Sequence, residues 1–213
     1  MRSVIRFIVW TAILAGCFVG LARATAIRWW QVPIDDPWLA TSVSPTLRPG
    51  DWVILWRLTR PAEGALVMCP EPKAPERIVL GRVIGTSNDE VGFNQGQLRL
   101  NGHGLPTERS CDAFDVNHPK TSDPFHQGCS VEDLEGKLYQ RGNAIAGLPP
   151  PSPPSVTTVD PGRYFLVSDN RQFPFDSRDY GTVESLTCKE TVVFRLWGKS
   201  GYFDQQGRFE VVH

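Results

Sequence analysis

The chain has 213 residues, 22 Lys plus Arg against 23 Asp plus Glu, and a formal charge of −1. That is enough for one ordinary domain with a real core, or two small ones, and the near-neutral balance offers no basic surface for nucleic acid. Eighteen prolines and nineteen glycines, with few helical-period runs, predict strands and turns, and five cysteines without a C-x-x-C pair give no zinc or thioredoxin pattern.

Arg2 and Arg6 precede an uncharged, mostly apolar run from Phe7 to Ala22, closed by Arg23. The run is slightly shorter than the ~20 residues that a spanning helix needs. Val4, Ile5 and Ala24 to Ile27 extend it, and the arginines at either end can snorkel. Two readings remain open: a single membrane anchor over residues 1–27, or a cleavable signal sequence ending at the Ala22-Arg23-Ala24 pattern. The return of apolar character beyond that pattern favours the anchor. Two arginines on each side leave the charge rule almost silent on orientation. The adjacent Trp29 and Trp30 that follow suit a membrane–water interface.

Residues 40–55 read A-T-S-V-S-P-T-L-R-P-G-D-W-V-I-L. Pro45 stiffens a hydroxyl-rich turn, Arg48 to Asp51 make a second turn, and Trp52 to Leu58 predict a strand. A serine on a rigid turn ahead of a strand is a nucleophile position; taken alone, the same turn reads as hydroxyls bonded to their own backbone. Ala65 to Cys69 predicts a second strand, Pro70 to Glu76 a loop, and Arg77 to Gly85 a third strand. Val91 to Asn101 reads as a hairpin turning at Gln95-Gly96. Residues 102–146 read as a polar, irregular insertion. His103, His118 and His126 there have no ligand spacing, so no metal is expected, and no Gly-rich phosphate loop points to a cofactor. Leu148 to Ser155 is a polyproline-type connector. Val159 to Arg171 carries a turn and an apolar strand ending in Asp169-Asn170-Arg171, followed by Asp176-Ser177-Arg178. Lys189 to Trp197 predicts a closing strand, with Leu196 and Trp197 in the core, and Tyr202 to His213 a short hairpin.

The S-V-S-P-T-L-x-x-G-D box, the third strand and the later Y-F-x-x-S-D-N-R…D-S-R-x-x-G-x-V segment resemble, in order, the boxes of the type I signal peptidases. These are membrane-anchored S26-type endopeptidases that use a serine nucleophile and a lysine base. The resemblance implies a mostly β fold of antiparallel sheets on one N-terminal transmembrane helix. It places residues 28–213 on the extracytoplasmic or periplasmic side of the cytoplasmic (inner) membrane. Its partners would be the bilayer and signal peptides or secreted precursors. If the domain is extracytoplasmic, Cys111 and Cys129 are the expected disulfide, since they bracket a loop of the insertion.

By resemblance Ser42 is the nucleophile. Asp176 and Arg178 form a structural ion-pair network with Arg82, and Asp169, Asn170 and Arg171 shape the site floor. Three positions depart from the family pattern. Gly81 stands where the base lysine belongs, Pro174 where a serine holds that lysine, and Ala40 where many members carry an oxyanion serine. A serine hydroxyl is a weak nucleophile without a neighbouring base. The expectation is therefore a protein that engages signal peptides or extended precursor segments without the standard dyad. Alternatives are an active peptidase with a substitute base, starting with Lys73 or an insertion histidine, and a non-catalytic envelope scaffold or assembly factor.

Overall fold

The computed structural model describes residues 2–94, 96–149, 153–204 and 207–212. The chain begins with helix α1 (Arg2–Thr25), in which Val4–Leu21 is long and apolar enough to cross a membrane, with its side chains exposed. Strand β1 (Ile27–Gln31), the short helix α2 (Pro37–Ser42) and strand β2 (Trp52–Trp56) follow. Next come β3 (Leu66–Glu71), β4 (Ala74–Gly85), β5 (Glu90–Asn94), β6 (Gln97–Leu100) and β7 (His103–Gly104). The long strands β8 (Thr107–Asn117) and β9 (Pro124–Leu134) lead to β10 (Lys137–Gly142). The chain then runs through β11 (Ser155–Thr158), β12 (Arg163–Val167), helix α3 (Ser177–Tyr180), β13 (Val183–Glu184), β14 (Glu190–Trp197) and β15 (Glu210–Val211). The fold is thus mostly antiparallel β on one N-terminal apolar helix.

The large sheet runs β1-β2-β14-β3-β4-β12-β13, with β15 paired to β14. β4 is its organising strand. From Val79 to Gly85 it is buried on both faces, so it reads as a continuous apolar run rather than an alternation. Three cores meet on it. Leu80 joins Leu39, Ala40, Val43 and Leu47. Ile84 joins Phe93, Leu134 and Tyr139. Val79 and Val83 join Leu166, Tyr180, Val183 and Cys188. Burying each such aliphatic side chain contributes roughly 1.5–3 kcal/mol.

The expected hairpin at Val91 to Asn101 is β5–β6, with Gly96 at φ +79°, where a residue other than glycine would be strained; its neighbour Gln95 lies outside the described residues. Several expectations are corrected. Residues 102–146 are not irregular: β8, β9 and β10 form a three-stranded sheet of their own. The apolar residues of this arm are few and split between two cores, Phe114 and Val116 with Cys129 and Phe173, and Leu134 and Tyr139 with Ile84, so polar residues obscure the alternation. Residues 70–76 are not a loop either, because β3 turns tightly into β4 with Glu71 opposite Ala74. The expected final hairpin is replaced by a helical turn at Gly201–Phe203 and by β15 added to β14. Its residues 205, 206 and 213 lie outside the described ones, as do residues 150–152 of the proline connector. Leu196 is buried as expected, but Trp197 is half-buried and meets Trp29 edge to face.

Cys111 and Cys129 are bonded, as expected, across the β8–β9 pair. A second bond, Cys69–Cys188, was not anticipated; it ties β3 to a cysteine two residues before β14, across 119 positions. By loop-closure entropy, bonds of these separations contribute about 4–5 kcal/mol for the long one and about 3 kcal/mol for the short one. Replacing Cys69 and Cys188 by alanine is therefore expected to cost more, in denaturant unfolding of the full chain in detergent, than replacing Cys111 and Cys129. The reverse ranking would contradict this account.

Candidate active site

Ser42 closes α2. Asp36 caps this helix by accepting from the Leu39 N–H at 3.1 Å, and Pro37 occupies its first turn. The sequence reading put Ser42 in an open turn; instead it ends a helix whose last four residues are buried. Ser42 itself is fully buried. Its Oγ donates to the Leu39 carbonyl at 2.9 Å, and its carbonyl accepts from the Asn170 N–H at 2.9 Å. That second bond brings the two sequence boxes together. Ser44 Oγ donates to Ala40 and Leu47 carbonyls, both at 3.3 Å. The Arg48–Asp51 turn is pinned by Asp51, which accepts from the Arg48 N–H at 2.7 Å and pairs with Arg195.

The anchor of the site is a buried pair. Arg82 Nε and Nη2 donate to the two Asp169 oxygens at 2.8 and 2.9 Å. Arg82 Nη1 donates to the Gly64 carbonyl at 2.7 Å, and its guanidinium lies over the Tyr139 ring. Thr46, from the serine's own box, donates to Asp169 at 2.6 Å. Asp176 and Arg178 form a separate pair at 2.7 Å rather than joining Arg82 as expected. The reason is register. Val167 pairs with Arg82 across β12–β4, so the strand delivers Asp169 to that guanidinium. Asp176 instead caps α3 and accepts from the Ser168 N–H at 2.8 Å. Ser177 accepts from the Leu166 N–H. Asn170 exchanges two bonds with Gln127, at 2.9 and 3.0 Å, which ties the box to β9. Arg171 donates to Glu132 at 2.6 Å and to Tyr139 Oη at 3.0 Å. Sequence reasoning missed Thr46, Gln127, Glu132 and Tyr139, because their partners lie on distant strands.

Position 81 carries no side chain, and the space a Cβ would take is occupied: Leu166 Cβ would lie 2.9 Å away. Among the described residues, no lysine or histidine hydrogen-bonds the Ser42 hydroxyl. Lys73 sits at the β3–β4 turn. Eight residues of extended β4 separate it from Gly81, a reach of roughly 26 Å. His118 accepts N–H donors from Lys120 and Thr121 and packs on Phe173, and the Lys120 ammonium lies over Trp38, at the start of α2.

Burial works against ionisation of Asp176 and Glu132, but Arg178 beside the first, and Arg171 and Arg141 beside the second, hold both carboxyls below their usual range. Such groups stabilise the fold above their unfolded pKa, roughly 4, and lose that contribution as pH falls through the folded value. Burial raises Asp51, which opposes them. Unfolding followed by near-ultraviolet dichroism is expected to show stability falling below about pH 4, with a shallower fall in Glu132→Gln. Breaking the central pair by Asp169→Ala is expected to cost about 3–5 kcal/mol, against about 1 kcal/mol for Thr46→Ala. Equal losses would contradict the ranking.

Signal peptidase IB of Staphylococcus aureus, in strains N315 and COL alike, is 24% identical over 160 residues, covering 73% of each chain. The crystal structure of a signal peptidase I from Enterococcus faecalis V583 is 23% identical, covers 63% of this chain and 97% of its own, and has a TM-score of 0.37. The family described as signal peptidase, peptidase S26, matches residues 3–197, nearly the whole chain, and to that family this protein belongs.

Proposed function

We propose that this protein is a membrane-anchored member of the signal peptidase family that engages signal peptides, or extended segments of secreted precursors, without cutting them by the family's serine–lysine chemistry. Family membership gives signal-peptide-bearing precursors as the substrate class. The observation that carries the reading is the state of Ser42. Its hydroxyl is fully buried and committed to the Leu39 carbonyl, and the position that resemblance assigns to the base is Gly81, backed by Leu166. A nucleophilic serine needs a base within about 2.6–3.2 Å of its hydroxyl; here the hydroxyl donates to a carbonyl instead.

The reading places α1 (Arg2–Thr25) as a retained anchor within residues 1–27 and the domain that follows on the extracytoplasmic side of the cytoplasmic membrane. Two disulfides support that side, since such bonds persist in oxidising compartments. A bound segment would add as a strand to an open sheet edge. β1, directly after the anchor, is one such edge. Arg82, Asp169, Asn170, Arg171, Asp176, Ser177 and Arg178 then hold the architecture rather than perform chemistry.

The test is incubation of a precursor with small residues at its cut site with the full chain in liposomes. Wild type is expected to co-purify with the precursor and leave it intact. Gly81→Lys alone is expected to destabilise the chain, because its Cβ meets the Leu166 Cβ; adding Leu166→Gly removes that atom. Cleavage by wild type that Ser42→Ala abolishes would overturn the reading in favour of an active peptidase with a substitute base. Neither cleavage nor co-purification would favour a scaffold role.

A further inference from the structure

We propose that the cleft at the anchor end of the large sheet is a binding site for the headgroup phosphate of an anionic phospholipid. The proposal rests on α1 being a retained membrane anchor.

Strand register locates the cleft. Ile27, two residues beyond α1, pairs with Trp56 at the end of β2, and the Arg57 N–H donates to the Ala26 carbonyl at 2.9 Å. Trp56 also pairs with Thr191 near the start of β14, whose first residue, Glu190, pairs with Met68. The end of β2, the start of β14 and part of β3 therefore gather where the chain leaves the apolar helix. The cleft of about 670 Å³ lies there, and the residues that line it include Arg28, Arg57, Arg60, Lys189 and Glu190.

Its charge is one-sided. Among the described residues Glu190 is the only carboxylate on its wall, and it is already shared by Arg28 at 3.1 Å and Arg57 at 2.5 Å. Arg60 and Lys189 make no ion pair among the described residues, and both are exposed. Net positive charge thus remains where the headgroup layer of a bilayer would sit. The rim is apolar in the same direction. Leu58 and Leu186 line the cleft and are 61% and 65% exposed. Two isolated exposed leucines flanking unpaired cations fit a surface that meets both acyl chains and phosphates. A soluble anion would use the cations but leave the leucines without a role, which favours the lipid. The site is distinct from the serine box: neither Ser42 nor Asp169 lines it.

The experiment uses the full chain purified in neutral detergent and titrated, with native mass spectrometry as the readout, against phosphatidylglycerol, phosphatidylcholine and inorganic phosphate. The variant is Arg60→Gln with Lys189→Gln, which breaks no ion pair. Wild type is expected to prefer phosphatidylglycerol. Each cation near the surface accounts for about a fivefold change, so the double variant is expected to bind this lipid roughly 25-fold more weakly, with phosphatidylcholine binding unchanged and the same melting temperature. Equal affinity for the two lipids, or an unchanged affinity in the double variant, would overturn the site. Phosphate binding as tight as lipid binding would assign it to a soluble anion, and binding of an acidic precursor peptide in place of the lipid would assign it to protein; either overturns the proposal. Alkaline-carbonate extraction of membranes separates the two layers of the argument. Loss of lipid preference in a chain that resists extraction overturns the site alone, whereas release of wild type overturns the anchor and the site with it.

Discussion

The buried Arg82–Asp169 pair is the constraint on which the rest of the site depends. It sits on β4, the strand on which the three cores meet, and it is fully shielded from water. A carboxylate and a guanidinium removed from solvent must be closely matched, because either one alone would be costly to bury. Here the match extends past the pair. Thr46 adds a hydroxyl from the serine's box, Gly64 a carbonyl, and Tyr139 a ring face. One ion pair thereby joins five segments of the chain, and the bond from the Asn170 N–H to the Ser42 carbonyl is its nearest consequence.

The frame around Ser42 consists of caps, backbone bonds and buried charge pairs, none of which requires a base at position 81. Leu166 stands against Gly81, so the space that a side chain there would need is filled. Ser42 then behaves as a helix-terminal serine does in general, turning its hydroxyl back to a carbonyl in the preceding turn. Packing and catalysis draw on different atoms, so the fold by itself does not fix the reaction.

Much of this was legible in the sequence. The strand at residues 77–85, the β5–β6 hairpin and the closing strand follow from β-branched runs and from turn residues at their ends. Ser42, Arg82 and the D-N-R and D-S-R clusters could be located from ordered boxes. What stayed hidden was long-range pairing. Arg82 could be placed at a buried position, but the choice of Asp169 over Asp176 depends on the β12–β4 register. Cys69 and Cys188 sit in an apolar strand and a turn, and only the β3–β14 pairing brings them together. The arm of β8 and β9 was obscured because its apolar residues are few and split between two cores. The burial of the Ser42 hydroxyl could not be foreseen from the box itself, since a capped helix ending at Ser42 and an open turn share the same residues.

The central claim concerns the reactivity of one oxygen, and chemical capture tests it most directly. The full chain in detergent would be incubated with a signal-peptide-length substrate carrying an electrophilic acylating group, and its intact mass then measured. The account predicts no covalent adduct on Ser42, with the chain remaining folded and able to bind the peptide. A stoichiometric adduct mapped to Ser42, and absent from Ser42→Ala, would show an activated nucleophile and contradict the account.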